Sequence, residues 1–460
     1  MSICRERFRT TIKIGLGVLL ITSAAASAQN GFKAVPLPNP GIPGYNFPET
    51  EDTIHQWVRA NNQHEINLHA WGIWTALTTD SGETFDGQKL LVFETWHTPE
   101  DIIAGVKTDD SNRQSPRPVG ALNQFTRHTG VAAEGEATVL GFVKYDPTAT
   151  EHIIKNNLFS KAALNAMIKA GKTAIPNFPY RAIALKPVHQ AIAQKDLENG
   201  YYKLPVWPGP YGSPPFPGTA VPYAYGEWPH HVWVDVQGDG SKNASVVKLS
   251  DFIHFKLTEA EAQLINKEGE KILGGISTKN PLTKGDYAIL LAMHVTSREI
   301  TRWTWQTFWW TPTPDAPHFP SSAAIAKDRP SQLKGAAKNY AHAPAYSMKY
   351  PPQPINGGKN VGNSVYAYNP WLEAGFDFTV LPDSKLGTYD GRLVPNNVGT
   401  QSNCMSCHGS ANYNPRNISE APRYTGDRYV DQNDPRFKGT LKVDFLWSIP
   451  SNVQPQDNSP

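Results

Sequence analysis

Residues 286–311 read DYAILLAMHVTSREITRWTWQTFWWT. Asp286 to Ser297 and Arg302 to Thr311 are two β-favouring runs separated by a short polar turn, and they predict an antiparallel hairpin. In the second run Trp303, Trp305, Thr307 and Trp309 alternate onto one face, with Thr304, Gln306, Phe308 and Trp310 on the other. Aromatic side chains on both faces imply a strand covered on both sides. Core packing is the commoner reason for that, and lining a ligand or cofactor cavity is the alternative.

Working outward, 39 prolines and 36 glycines in 460 residues interrupt long helices, which disfavours a helical bundle. A loop-rich α+β fold is expected, with antiparallel strands and flanking helices. Helices are predicted at Thr50–Asn61, His64–Thr78 and Ser160–Ala170. Others should start at Thr98-Pro99-Glu100-Asp101 and at the capping box of Thr258 and Glu261. Strands are predicted at Lys89–Trp96, Ala137–Tyr145, Arg181–His189, His231–Val236, Phe376–Leu381 and Leu441–Trp447. Gly200–Glu227 reads as a packed loop or domain boundary. The expected organisation is a leader at 1–28, a body at 29–312 and a loop-rich link at 313–370. A C-terminal region at 371–451 and a loose tail at 452–460 complete it.

The chemistry-bearing stretch comes late: Cys404-Met405-Ser406-Cys407-His408. On a helical turn, cysteines three apart share a face, and the following histidine joins them. Two thiols can then meet the two vinyl groups of one porphyrin while the imidazole reaches its iron, the attachment signature of c-type haem. Two rival readings of the motif fit it less well. A thioredoxin-like dithiol sits at the end of a strand in a βαβ unit and needs no histidine. A closed structural zinc site needs four ligands, and no second cysteine pair exists.

Met1–Ala28 reads as a secretory signal, with Arg5, Arg7, Arg9 and Lys13 before a short apolar run and Ala26-Ser27-Ala28 as the cleavage site. That run is too short to span a bilayer, and no other segment is long and apolar enough. Cys4 leaves with the signal, so only Cys404 and Cys407 remain and no disulfide is expected. Removing the four basic residues and one acid of the leader takes the formal charge from +2 to −1. A near-neutral mature chain has no basic stripe, which argues against nucleic acid or an anionic membrane as partner.

The motif around Cys404, Cys407 and His408 resembles the haem site of c-type cytochromes. That resemblance implies one covalent haem c, His408 as proximal iron ligand, attachment in a bacterial periplasm and a redox partner protein. Small cytochromes c carry the motif near the N-terminus and take a sixth ligand from a later methionine. Here no methionine follows His408, so that fold is not expected over the chain. The His294 strand, the Trp303-x-Trp305-x-Thr307-Phe308 run and the late motif resemble a poorly characterised group of large exported cytochrome-c-like proteins.

A sixth ligand would have to come from upstream. Met348, in a proline-flanked loop, is the first candidate distal ligand, with partly buried packing as its ordinary role. Met293 and His294 are adjacent on a strand and face opposite ways, so only one of them can reach the iron. His97, His231 and His342 are further candidates, each more often structural. Five-coordinate iron is the remaining option, and it would suit small-ligand binding or peroxide activation.

Other constellations are weak. His230, His231 and Asp235 could suggest a metal, but the two histidines point apart. Gly238-Asp239-Gly240 reads as a turn, and Asn243-Ala244-Ser245 matches a glycosylation sequon. The favoured function is a periplasmic monohaem cytochrome passing single electrons. Its alternatives are a haem enzyme, peroxidase-like or using the haem as a relay, and a ligand-binding module.

Overall fold

Thr50 caps the first helix, α1 (Glu51–Ala60), by accepting from the Thr53 amide, with Glu51 and Asp52 in the positive first turn. Left-handed Asn61 ends it, and Asn62 at once caps α2 (Gln63–Leu77). This is a computed structural model of the chain. It describes residues 31–111, 113, 115–117, 139–210, 228–238, 245–272, 280–374, 388–389, 392–393, 401–417 and 428–454. The leader at 1–28, the strand expected at 376–381 and the sequon at Asn243 lie outside the described residues.

After α2 come the hairpin strands β1 (Asp80–Phe85) and β2 (Gln88–Leu91), then α3 (Pro99–Ile103). β3 (Val139–Gly141) and β4 (Lys144–Tyr145) lead to α4 (Pro147–Asn156), α5 (Lys161–Lys169) and the long β5 (Ile183–Ile192). β6 (Tyr201–Pro205), β7 (His231–Asp235) and β8 (Val246–Lys248) form a small separate sheet in which β7 and β8 run parallel. β9 (His254–Lys256) and α6 (Glu259–Ile272) precede the hairpin, β10 (Tyr287–Ser297) and β11 (Thr304–Trp310). Beyond it lie α7 (Ala323–Lys327), β12 (Tyr340–Ala345), α8 (Pro370–Glu373), α9 (Cys404–His408) and α10 (Ser448–Ser451). The fold is a loop-rich α+β arrangement.

The main sheet runs β12-β11-β10-β5-β3, with β4 also on β5 and β9 extending β10, all antiparallel. The hairpin forms as expected, pairing Ala292 with Trp309, His294 with Thr307 and Ser297 with Thr304. Every residue of β11 is buried, and its alternation splits the molecule into two sides. On one side Phe308 stacks on Trp74 of α2 at 4.4 Å, and Tyr340 and His342 join the same layer. On the other side Trp305 meets α9, and Thr307 accepts a hydrogen bond from Asn369 at the start of α8. The sheet is therefore a wall between a helix layer and the Cys-x-x-Cys-His helix. Gly72 serves this layering, since a β-carbon there would come within 2.2 Å of the Tyr45 ring.

Four expectations need correction. Leu441–Trp447 is strand only over Leu441–Lys442 and then turns at Asp444 and Phe445. Lys89–Trp96 is not one strand: β2 stops at Leu91, and Val92–Thr95 is a 3₁₀ turn in which Glu94 reaches back to the Leu91 amide. Residues 313–370 are not only a link, because β12 closes the main sheet against β11 and shares the hydrophobic core. Gly200–Glu227 is not wholly loop, since β6 occupies Tyr201–Pro205.

α4 is held by an unusual cap. The buried Asp146 carboxylate accepts from the amides of Ala149 (2.9 Å), Thr148 (3.2 Å) and, across the fold, Ile183 (2.9 Å). Burial outweighs these donors and raises its pKa from 3.8 to about 6. The folded state therefore holds this proton more firmly than the unfolded chain, so the stability Asp146 contributes is greatest near pH 4. It is lost as pH rises through about 6. Urea denaturation at pH 4 to 6.5 should show the wild type losing on the order of 2 kcal/mol relative to Asp146→Asn across that window. Parallel pH profiles would remove this assignment.

Candidate functional site

α9 is a single turn whose orientation is fixed from outside. Asn403 caps it, its Oδ1 accepting from the Ser406 amide at 3.0 Å, while its Nδ2 donates to the carbonyls of Val365 (2.7 Å) and Ser347 (3.1 Å). The Cys404 amide donates to the Ala367 carbonyl, and the Ala367 amide donates to that of Ser402. At the far end the Trp447 indole donates to the Cys407 carbonyl at 3.2 Å. These contacts pin the backbone and leave the motif side chains to face the sheet.

His408 is oriented by one strong contact. Its Nδ1 lies 2.8 Å from the Phe445 carbonyl oxygen, which can only accept, so Nδ1 carries the hydrogen and Nε2 a lone pair. That carbonyl comes from a strained turn: Asp444 and Phe445 both have positive φ, 47° and 69°. A bulky residue keeps such a conformation only where its surroundings force it. Here the Asp444 carboxylate is clamped by the Phe178 amide at 2.9 Å and the Arg298 guanidinium at 3.2 Å. Burial above all, with lesser repulsion from His294 and Lys186, pulls His408 down to about 3, so the ring is neutral. A metal-ligating histidine needs this arrangement, with one nitrogen fixed by a carbonyl and the other available.

The thiols complete the pattern. Cys404, Cys407 and His408 each keep part of their surface open, while Asn403, Met405, Ser406 and Gly409 around them are buried. Burial, then the charge of Glu373, raises Cys404 well above the usual thiol value and Cys407 to about 12. Groups that are deep yet partly open line a recess instead of filling a core. The facing strands agree. Lys186 is the one residue of β5 that is not buried, and His294 breaks an otherwise buried run from Ala288 to Ser297.

Register brings these groups together. His294 pairs with Lys186 on one side and Thr307 on the other, so all three share the face of Trp305. The Trp305 ring lies 4.0 Å from that of His408. The His294 Nε2 is 2.9 Å from Glu373, whose second oxygen accepts from the Asn369 amide. The recess thus has the motif helix on one wall and His294, Glu373 and Lys186 on another. The two thiols, the available Nε2 and the tilted indole against His408 suit a covalent haem c held by Cys404 and Cys407.

The other ligand candidates fall elsewhere. The Met348 sulfur accepts from the Val430 amide at 3.3 Å, and its methyl group packs where a β-carbon on Gly409 would come within 2.8 Å. Met348 is therefore packed at the flank of α9. Met293 pairs with Phe308 and belongs to the α2 side of the sheet, as does His342, edge-on to Trp71 at 4.4 Å. The His97 Nε2 meets the Lys107 carbonyl at 3.2 Å, and His231 lies on the separate small sheet. Among the described residues no three His, Cys, Asp or Glu side chains converge as a metal-ion site, His230, His231 and Asp235 included. Sequence reasoning did not single out Lys186 or Glu373. Both reach the recess only through pairing between distant segments.

Comparison with family models, with curated proteins and with solved structures finds no match to this chain. No described helix is long and apolar enough to cross a membrane.

Proposed function

We propose that this chain is an exported, periplasmic monohaem c-type cytochrome that passes single electrons to or from a partner protein. Cys404 and Cys407 hold the haem c and His408 is its proximal ligand. The observation that carries this reading is the combination at α9: three adjacent motif residues each keep part of their surface open, and Nδ1 of His408 is fixed on Phe445. Bound there, the haem supplies one-electron chemistry at its iron. The protein's part is to orient His408, keep it neutral and cover it with Trp305. The deciding measurement is the optical and paramagnetic resonance spectrum of the purified protein, which reports covalent attachment, spin state and axial ligation together.

A second reading, a haem enzyme, is favoured by the same recess. Lys186, His294 and Glu373 put polar hydrogen-bonding groups beside the motif, where a simple electron carrier needs only an apolar wall. His294 also succeeds Met348 as the side chain to test at the iron. His294→Ala should leave the haem covalently attached and change either the spin state or the cyanide affinity by tenfold or more. An unchanged spectrum with unchanged cyanide binding would place His294 away from the iron and weaken the enzyme reading.

A further inference from the structure

On the opposite side of the hairpin from the motif, a chain of buried polar groups has no role in the haem site. The Tyr346 hydroxyl lies 2.6 Å from His69 Nδ1, and His69 Nε2 lies 3.1 Å from a Glu299 carboxylate oxygen. Tyr346, His69 and Glu299 are 5%, 2% and 1% exposed, so no bulk water can take a proton from the phenol. With Glu299 as a carboxylate, Nε2 is the donor toward it, and Nδ1 presents its lone pair to the Tyr346 hydroxyl. The tyrosine is thus hydrogen-bonded to a base that is itself braced by an anion. Glu299 is held in turn by the Glu49 amide at 2.6 Å and by the Ser297 hydroxyl.

The location matters as much as the chemistry. Tyr346 directly follows Ala345, whose strand partner is Trp305, and the Trp305 ring lies 4.0 Å from His408. Tyr346 also interacts with Thr304, the residue before Trp305. One strand thickness therefore separates the phenol from the haem-site indole.

We propose that Tyr346 is a redox-active tyrosine that gives one electron through Trp305 to the haem site and its proton to His69. This rests on the second reading above, a haem enzyme whose iron meets peroxide. The co-reactant is a peroxide. Its reduction to water takes two electrons and two protons from solvent; a bound haem would supply one electron and Tyr346 the other. At Tyr346 the O–H bond breaks: the electron leaves through Trp305, and the proton moves the short distance to Nδ1. The resulting imidazolium is stabilised by Glu299, and a neutral tyrosyl radical remains. Burial, then the charge of Glu299, keeps the resting phenol well above its usual pKa, so it holds its proton until it is oxidised.

The test is freeze-quench paramagnetic resonance of the holoprotein mixed with hydrogen peroxide, after a haem stain on a denaturing gel has established covalent haem. A tyrosyl signal is expected in the wild type and in Tyr45→Phe, which alters the neighbouring buried phenol, and at least tenfold less in Tyr346→Phe. Should Tyr346→Phe not fold, 3-fluorotyrosine placed at 346 keeps the hydroxyl, and its fluorine splits the signal only if the radical sits there. Covalent haem with no tyrosyl signal, or a signal that survives Tyr346→Phe or lacks the fluorine splitting, overturns the proposal. A purely structural network gives those results. A negative haem stain instead overturns the underlying haem reading, before peroxide is added.

Discussion

Cys404→Ser/Cys407→Ser is expected to lose all covalent haem, leaving no haem-stained band after denaturation where the wild type gives one. The expectation follows from where the thiols lie. Both sit on one face of a capped turn and keep open surface in a recess whose surroundings are buried. Serine is close in size and keeps the Asn403 cap, so the double variant should fold with its stability changed by less than about 1 kcal/mol. Cys404 has a further structural contact, its Sγ 3.2 Å from the Ala367 carbonyl, which a hydroxyl can replace. A folded variant lacking covalent haem assigns the thiols to the cofactor. If wild type and variant are both unstained but equally folded, the haem reading fails, and the pair would then be examined as a dithiol.

How much of this was legible in the sequence depended on whether the signal was local. Thr50, Thr98 and Thr258 announced their helices because caps act within three residues, and all three accept the expected amide. The hairpin was legible because two long β-favouring runs flank a short polar turn. β12 was not, since Tyr340–Ala345 is half alanine and carries Pro344 inside a proline-rich stretch. As the end strand of the main sheet it tolerates that proline, and only its pairing with β11 identifies it. β1 carries no local signal because its residues are polar and largely open, whereas Pro147–Asn156 does carry one in its Asp146-Pro147 start.

The same division holds at the site. Cys404, Cys407 and His408 are consecutive enough to be read together. Alternation said that Met293 and His294 must face apart, but only the register with Thr307 and Lys186 assigns His294 to the recess. The strained turn that offers Phe445's carbonyl to His408 has no sequence signature, because nothing local favours a positive φ at phenylalanine.

Trp74→Ala should be the most destabilising single substitution considered, costing about 3–5 kcal/mol. Trp74 is fully buried at the centre of the helix layer, stacked on Phe308 at 4.4 Å with planes 14° apart and 5.1 Å from the Tyr340 ring. Its indole donates to the Ala337 carbonyl at 3.1 Å, so truncation removes the stack, opens a cavity and leaves that carbonyl without its donor. Phenylalanine at the same position refills much of the volume and restores the stack but not the hydrogen bond, so Trp74→Phe should cost about 1–2 kcal/mol. Urea denaturation of the three proteins measures both values. Because Phe308 and Trp305 belong to the same strand, the effect should carry across the sheet. Loosening Phe308 in Trp74→Ala should lower the order of the Trp305–His408 contact and broaden the spectrum of the proposed haem, while leaving covalent attachment complete. A Trp74→Ala cost below about 1 kcal/mol would mean that α2 does not brace the strand on which the candidate haem site is built.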